Sequence, residues 1–447
     1  VFYDFGVFKI ETNNMYRRVG IMTLGCKVNQ YESQAIAEEF EKNGFIIGRF
    51  SEKCGIYIIN TCTVTAESDR KTRQMIRRAA RHNPKAYVLV TGCYSQLNPG
   101  KTAGIDGVDF ICGNSNKMRL VDAALGLIAS GEKNGAADIK VDDIMSAPLE
   151  RMCIHSSERT RAYVKIEDGC DNRCAYCIVP QARGHVRSKP AEDVVEEVKG
   201  LVAAGYYEIV LTGIETACWG RDLGDENLAD LLEKVDAIEG IGRIRLGSLD
   251  PSLMKPEFVD RIAKLKHLAP NFHLSMQSGS SRVLAAMRRR YNAETAENNI
   301  AYIREKIPGV TFTADIIVGF PGETEEMFME TVDFVKRVGF IHLHIFPYSK
   351  RPGTEAAEME NQIPEETKNE RLKRLEDAQR EAALKIAENY VGGQKDVLFE
   401  LCEDGRAVGH TAEFLEVTVI TPDDLHGQIK TVKLNGFDGS TYSGFIV

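Results

Sequence analysis

No stretch of this chain is apolar for long enough to cross a bilayer, which takes ~20 such residues in a helix, because polar or charged residues interrupt every run. The opening residues, VFYDFGVFKIETNNMYRR, lack a basic start followed by an apolar core. No secretory signal is therefore expected, Met15 reads as a candidate natural start, no membrane partner is expected, and the cytoplasm is the expected compartment. An excess of positive charge is also missing. Lys and Arg number 56 against 65 Asp and Glu, a net charge of −9, which as a sum weighs against nucleic acid as a partner. Nor do the cysteines suit a disulfide framework. There are 11, an odd number in a chain without an export signal, so reduced thiols used as metal ligands or in catalysis are expected.

What is present describes a globular protein of more than one domain. The chain has 447 residues, 43% hydrophobic and 27% charged, too many for one ordinary core. The positive charge it does carry is concentrated. Asp69–His82 holds Arg70, Lys71, Arg73, Arg77, Arg78 and Arg81 against one carboxylate, and RVLAAMRRR holds Arg282, Arg288, Arg289 and Arg290. One such run reads as a solvated helix face. Two in an acidic chain point to a localised anion-binding surface.

The first ~125 residues alternate short apolar runs with helical stretches, the pattern of buried parallel strands in a small doubly wound sheet. The runs end at Cys26, Cys62 and Cys93, while Cys112 lies inside its run and reads as core. Helices are expected over Ser33–Asn43, closed by Gly44, and over Thr65–His82, capped by Thr65 and stopped by Asn83-Pro84. A polar stretch over 131–160 reads as a linker after a domain spanning 16–130. The alternation then resumes with strands expected at 163–168, 208–213, 244–248, 272–276, 311–317 and 341–346. Helices are expected near 191–204, 227–238, 256–266, 281–305 and 324–338. Six βα units predict a partial (β/α)6 barrel with its chemistry at the C-terminal rim. A helix over Pro364–Tyr390 closes this domain, 161–390, and 391–447 reads as a small all-β module. The fold class is α/β with that β appendage.

EDGCDNRCAYCIVPQARG carries Cys170, Cys174 and Cys177 as C-x3-C-x2-C directly after the first barrel strand. Three thiolates in eight residues can occupy three corners of one cluster. Paired C-x2-C zinc knuckles are absent, and the ferredoxin spacing does not match. The fourth ligand therefore need not come from the protein. Cys26, Cys62 and Cys93 form a second set of three, each just past a strand of the N-terminal sheet, where ligands gather in such folds. Cys54, Cys153, Cys218 and Cys402 belong to no set. His342 and His344, at i and i+2, share a strand face without an evident third ligand.

The C-x3-C-x2-C loop resembles that of the radical S-adenosylmethionine (SAM) superfamily. TLGCKVNQYES, NTCTVTAESDRKTRQ and TGCYSQ followed by DGCDNRCAYCIVPQARG resemble the methylthiotransferases of that superfamily. NTCTVT, the Arg-rich helix and LTGIETACWG are most similar to the branch acting on threonylcarbamoyladenosine. The resemblance implies an N-terminal domain with an auxiliary 4Fe–4S cluster on Cys26, Cys62 and Cys93. It implies a radical SAM 4Fe–4S cluster on Cys170, Cys174 and Cys177, and a C-terminal TRAM module. Two SAM molecules per turnover are implied, one giving a methyl group and one a radical. The reaction implied converts t6A37 in the tRNA anticodon stem-loop to ms2t6A37, with flavodoxin or ferredoxin as reductant. Isopentenyladenosine and a ribosomal-protein aspartate are the alternative substrates, and an iron–sulfur electron carrier or RNA-binding protein is the non-enzyme alternative. Tyr176, Thr212, Gly213, Ser275, Gln277, Asp315, Gly319 and Phe346 are the implied SAM contacts. Arg73, Arg77, Arg183, Arg187, Lys350 and Arg351 are the implied tRNA contacts. The chain departs from the branch at Glu215, where a histidine is usual, and at Ala217–Gly220. The tail, Lys395–Val447, carries four basic residues against nine acidic, an unusual balance for an RNA-binding module.

Overall fold

The structure, a computed structural model, describes residues 16–131, 133 and 135–447; residues 1–15, Met15 among them, and residues 132 and 134 lie outside the described residues. Two compact units form, and they do not follow chain order. The first joins the residues up to Ser156 with Glu167–Asn172 and Cys177–Lys189. The second joins Ser157–Ile166, Arg173–Tyr176 and Pro190–Val447.

In the first unit the chain runs through β1 (Arg18–Thr23), α1 (Lys27–Lys42), β2 (Ile46–Gly48), β3 (Ile56–Thr61), α2 (Ala66–His82) and β4 (Tyr87–Gly92). It continues through α3 (Cys93–Leu97), β5 (Phe110–Cys112), α4 (Arg119–Ser130) and β6 (Asp138–Lys140). The six strands form one parallel sheet in the order β2-β1-β3-β4-β5-β6. Every residue of β3 and β4 is buried, as helices on both faces require. Alternate side chains feed two cores. Ile56, Ile58, Tyr87 and Leu89 face α1 and α4, while Tyr57, Ile59, Val88 and Val90 face α2. Thr65 caps α2 as expected, its hydroxyl accepting from the Ser68 N–H. The sixth strand falls inside the stretch expected to be a linker. All three residues of β6 are exposed, so this edge strand carries no hydrophobic signal.

The second unit holds β7 (Arg161–Lys165), α5 (Ala191–Ala203), β8 (Glu208–Thr212), α6 (Leu228–Asp236), β9 (Arg243–Leu246), β10 (Ser248–Leu249) and α7 (Pro256–Ile262). There follow β11 (Asn271–Gln277), α8 (Ser281–Ala286), α9 (Ala293–Lys306), β12 (Thr311–Val318), α10 (Glu325–Val338), β13 (His342–Pro347) and α11 (Glu365–Ala387). The strands pair in parallel as β9-β8-β7 and as β10-β11-β12-β13, with the break at Gly247. The helix expected over 281–305 is two helices. Arg288 takes a left-handed backbone at φ 58°, and Asn292 caps a fresh helix by accepting from Thr295 N–H. The tail, β14 (Gln394–Glu403), β15 (Arg406–His410), β16 (Glu416–Ile420), β17 (Ile429–Phe437) and β18 (Tyr442–Ile446), closes into a small barrel around Val397, Phe399, Val417 and Val432.

An ion-pair network joins this barrel to the base of the βα strands. Glu208 accepts from Arg243 at 2.9 Å and Arg245 at 2.6 Å, and Arg245 donates onward to the carbonyls of Thr411 and Ala412. Arg245 also lies over the Phe414 ring, and Arg161 reaches Glu400 at 2.7 Å. Burial alone would raise the Glu208 pKa, but Arg245, Arg243 and Arg161 outweigh it and bring the carboxyl down to about 2. Because that lies below the unfolded value of about 4.3, the stabilisation is complete above pH ~4.3 and fades as pH falls towards 2. Glu208→Gln strands two buried guanidinium groups and should cost about 3–5 kcal/mol at neutral pH. Thermal denaturation of both proteins against pH checks this: the gap between them should narrow on acidification, and a pH-independent gap would contradict the assignment.

Candidate active site

Strand order brings Cys26, Cys62 and Cys93 together. They follow β1, β3 and β4, which are neighbours in the sheet, and Asn60 and Thr61 of β3 lie opposite Thr91 and Gly92 of β4. Each turn is cut close. Gly25 has φ 100°, and a Cβ there would lie 2.9 Å from the Cys62 Cβ. Gly92 has φ 97°, and its Cβ would lie 2.5 Å from the Thr61 backbone. Only glycine takes both the left-handed backbone and the approach. Asn29 ties the turns by donating to the carbonyls of Leu24 and Thr61. Cys62 and Cys93 are buried, while Cys26 is exposed as a residue. Burial, then the neighbouring thiols Cys93 and Cys26, push the Cys62 thiol up to about 11. Burial also raises Cys26 against the opposing charge of Arg183. Such thiols ionise when a metal takes the proton's place.

Arg183 sits at the C-terminus of a short helix, Val179–Arg183, and its side chain is 1% exposed. Its Nη1 donates to Glu32 at 2.6 Å and to Asp168 at 3.1 Å, and its Nη2 donates to Asn29 and to Glu32. Its Nε donates to the Cys93 sulfur at 3.3 Å. Glu32 also pairs with the buried Lys117. The expected phosphate contact at Arg183 is therefore corrected: the guanidinium is inside the protein with its donors directed at protein acceptors. Arg351 is buried as well. Arg187 is half-buried and donates to the carbonyls of Ala147, Pro148, Arg183 and His185. Lys350 is exposed.

Of the run Arg282–Arg290 only Arg290 is exposed without an ion pair among the described residues. Arg282 pairs with Glu326 and Glu330, and Arg288 pairs with Glu355. Arg289, its side chain 5% exposed, donates to Asp250 at 2.8 Å, to the Ser275 carbonyl and to the Cys174 sulfur at 3.3 Å. On α2 the picture differs. Arg77, Arg78 and Arg81 are exposed and Arg73 half-exposed, and among the described residues none of the four is in an ion pair.

Cys170 and Cys177 belong to the first unit and Cys174 to the second. The Cys170 sulfur accepts from the Asn172 N–H, and the Cys170 N–H donates to the Gly184 carbonyl. Gly169 and Gly184 both have positive φ, and a Cβ on Gly169 would lie 1.9 Å from the His185 carbonyl oxygen. In the second unit Tyr176 packs against the cluster that holds Phe320 and Tyr348. Thr212 and Gly213 end β8, Ser275 and Gln277 end β11, Asp315 and Gly319 lie on and after β12, and Phe346 is an exposed residue of β13. All stand on or beyond the C-terminal halves of barrel strands. Gln277 is left-handed at φ 65°, beside a register shift between β11 and β12. Glu215, the residue that departs from the branch, is buried. Burial and the Asp250 carboxylate push it up to about 7, against Arg289 and Arg221. His344 meets His342 edgewise and lies tilted against His273. Among the described residues no three His, Cys, Asp or Glu side chains are grouped around a single-ion site.

The radical SAM superfamily matches residues 164–335, and the Uncharacterized protein family UPF0004 matches residues 18–113. The chain is 41% identical to the threonylcarbamoyladenosine tRNA methylthiotransferase MtaB of Bacillus subtilis, over 93% of each chain. The protein of that name from Aquifex aeolicus is 40% identical over 80% of this chain and 87% of its own. A tRNA-2-methylthio-N(6)-dimethylallyladenosine synthase from Carboxydothermus hydrogenoformans is 34% identical over 93% of this chain and 96% of its own. Among solved structures, the radical SAM methyltransferase TsrM of Kitasatospora setae, with cobalamin and a 4Fe–4S cluster, aligns over 76% of this chain and 77% of its own. Its TM-score is 0.55 at 17% identity, a likeness of fold. With identity at this level sustained over nearly the whole length, the chain belongs to the radical SAM tRNA methylthiotransferase family.

Proposed function

We propose that this chain is a cytoplasmic enzyme that replaces the C2 hydrogen of N6-threonylcarbamoyladenosine, beside the tRNA anticodon, with a methylthio group. The observation that carries this reading is the second cysteine set. Cys26, Cys62 and Cys93 converge at one sheet edge in a chain that also holds the C-x3-C-x2-C loop. When bound, one iron–sulfur cluster with SAM supplies the radical that takes hydrogen from the substrate carbon, and a second cluster is the source of the methylthio group. Cys170, Cys174 and Cys177 would hold the first, and Cys26, Cys62 and Cys93 the second. A soft thiolate set suits iron–sulfur chemistry, and glycine at 25 keeps a side chain off the Cys62 thiol. Arg289 and Tyr291 brace the Ser275 carbonyl, near where SAM would lie. The exposed arginines of α2 would grip phosphates, which fix the register of an RNA without reading its sequence.

Iron analysis of the reconstituted protein should give about eight irons per chain, falling to about four in Cys62→Ala. The variant should still form 5′-deoxyadenosine from SAM and dithionite while no longer methylthiolating tRNA. Four irons in both proteins would remove the second cluster. Cys174→Ala should lose 5′-deoxyadenosine formation altogether. For the substrate, nucleosides of tRNA from cells lacking the protein, resolved by mass spectrometry, should lack the methylthio-threonylcarbamoyl form; loss of the isopentenyl counterpart instead would move the chain to the other branch. For the RNA surface, Arg77→Ala with Arg78→Ala should weaken tRNA binding and flatten the slope of log affinity against log salt by about one per lost phosphate contact. An unchanged slope would place the grip elsewhere.

A further inference from the structure

A buried arginine that served only to join carboxylates would need its two terminal nitrogens. In Arg183 those nitrogens already serve Glu32, Asp168 and Asn29, and the remaining donor, Nε, is directed at the sulfur of Cys93 at 3.3 Å. A second donor meets the same atom: Asn114 Nδ2 lies 3.6 Å from Cys93 Sγ and is oriented by its bond to the Ala182 carbonyl at 2.8 Å. Asn114 and Arg183 both have side chains closed off from water. The other two thiols are served differently. Cys26 is bonded by the Asn29 backbone, and Cys62 by the Val64 backbone and the Ser68 hydroxyl, all neutral donors. One sulfur of the three, that of buried Cys93, thus receives a charge-assisted bond from a buried donor, and such bonds are about twice as strong as neutral ones.

Resting on the reading that Cys26, Cys62 and Cys93 hold a cluster, we propose that Arg183 and Asn114 are positioning residues that make Cys93 its least electron-donating ligand and raise the cluster's reduction potential. Hydrogen bonds to ligand sulfurs withdraw charge from the iron and stabilise the reduced cluster, one of the levers that spread cluster potentials. Lysine cannot stand in for Arg183. It keeps a positive charge but has no rigid fork to serve two carboxylates while holding a fixed N–H against sulfur. Because Arg183 lies six residues beyond Cys177 in sequence, the segment that follows the C-x3-C-x2-C loop supplies this donor.

The test isolates the second cluster in full-length protein carrying Cys170→Ala, Cys174→Ala and Cys177→Ala. In that background, Arg183→Lys and Asn114→Val are compared by iron content, circular dichroism and a redox titration followed by electron paramagnetic resonance. Both should keep about four irons and move the midpoint to more negative potential. For Arg183→Lys the oxidised-to-reduced ratio at fixed poise should change roughly tenfold or more, a shift of about 59 mV for one electron. Asn114→Val should shift it in the same direction by less. Should Arg183→Lys fail to fold, the midpoint of Asn114→Val decides alone. Folded variants with full iron and unmoved midpoints would reduce both residues to structural roles and overturn the proposal. Absence of iron from the background protein itself would instead overturn the cluster reading beneath it.

Discussion

The positive charge of Arg183 has no access to water, and much of the first unit is arranged around that fact. An unpaired guanidinium in such a place costs several kcal/mol or more. Glu32 from α1 and Asp168 from the segment before the C-x3-C-x2-C loop answer it, and Lys117 answers the second oxygen of Glu32. The widest of these contacts, Glu32 to Arg183, joins residues 151 apart in sequence. Together the contacts dock the segment after Cys177 against the helix after Cys26. A buried network of this kind adds little net stability over an apolar core but tolerates one arrangement only, because any slip leaves a charge unpaired.

The sheet supplies the other half of the arrangement. Parallel strands place all their C-terminal ends at one edge, and the order β1-β3-β4 makes three of those ends adjacent. Each strand delivers one cysteine, and positive-φ glycines turn the chain sharply enough at two of them. Thiols held apart on three backbone turns can be bridged by a multi-iron group. In the second unit an arginine again donates to a cysteine of a three-cysteine set, Arg289 to Cys174, while its charge is met by Asp250.

Much of this was legible beforehand, and the failures are instructive. The strand-end cysteines, the cap at Thr65, the six barrel strands and the β tail all leave local signals: apolar runs, turn residues, alternation. β6 left none, because an exposed edge strand has no hydrophobic face to show. The break between α8 and α9 was hidden by a run of good helix formers, and only the left-handed turn at Arg288 reveals it. Arginines misled most. Arg183 and Arg351 are implied as phosphate contacts by the resemblance and Arg289 reads as basic surface, yet the first two are buried and the side chain of Arg289 is 5% exposed. On α2, with the same composition, Arg77, Arg78 and Arg81 are exposed.

The sequence by itself determined the residue types and spacings that can hold iron, the alternation that builds parallel sheets, and the kinship those motifs carry. These are local or nearly local properties, set by covalent order and by the periodicity of burial. Only the tertiary structure decided which charges face water and which face one another. A guanidinium's role depends on the acceptors within about 3 Å of it, and for Arg183 those acceptors come from α1, from the turn after β4 and from Asp168. Sequence distance does not encode that meeting.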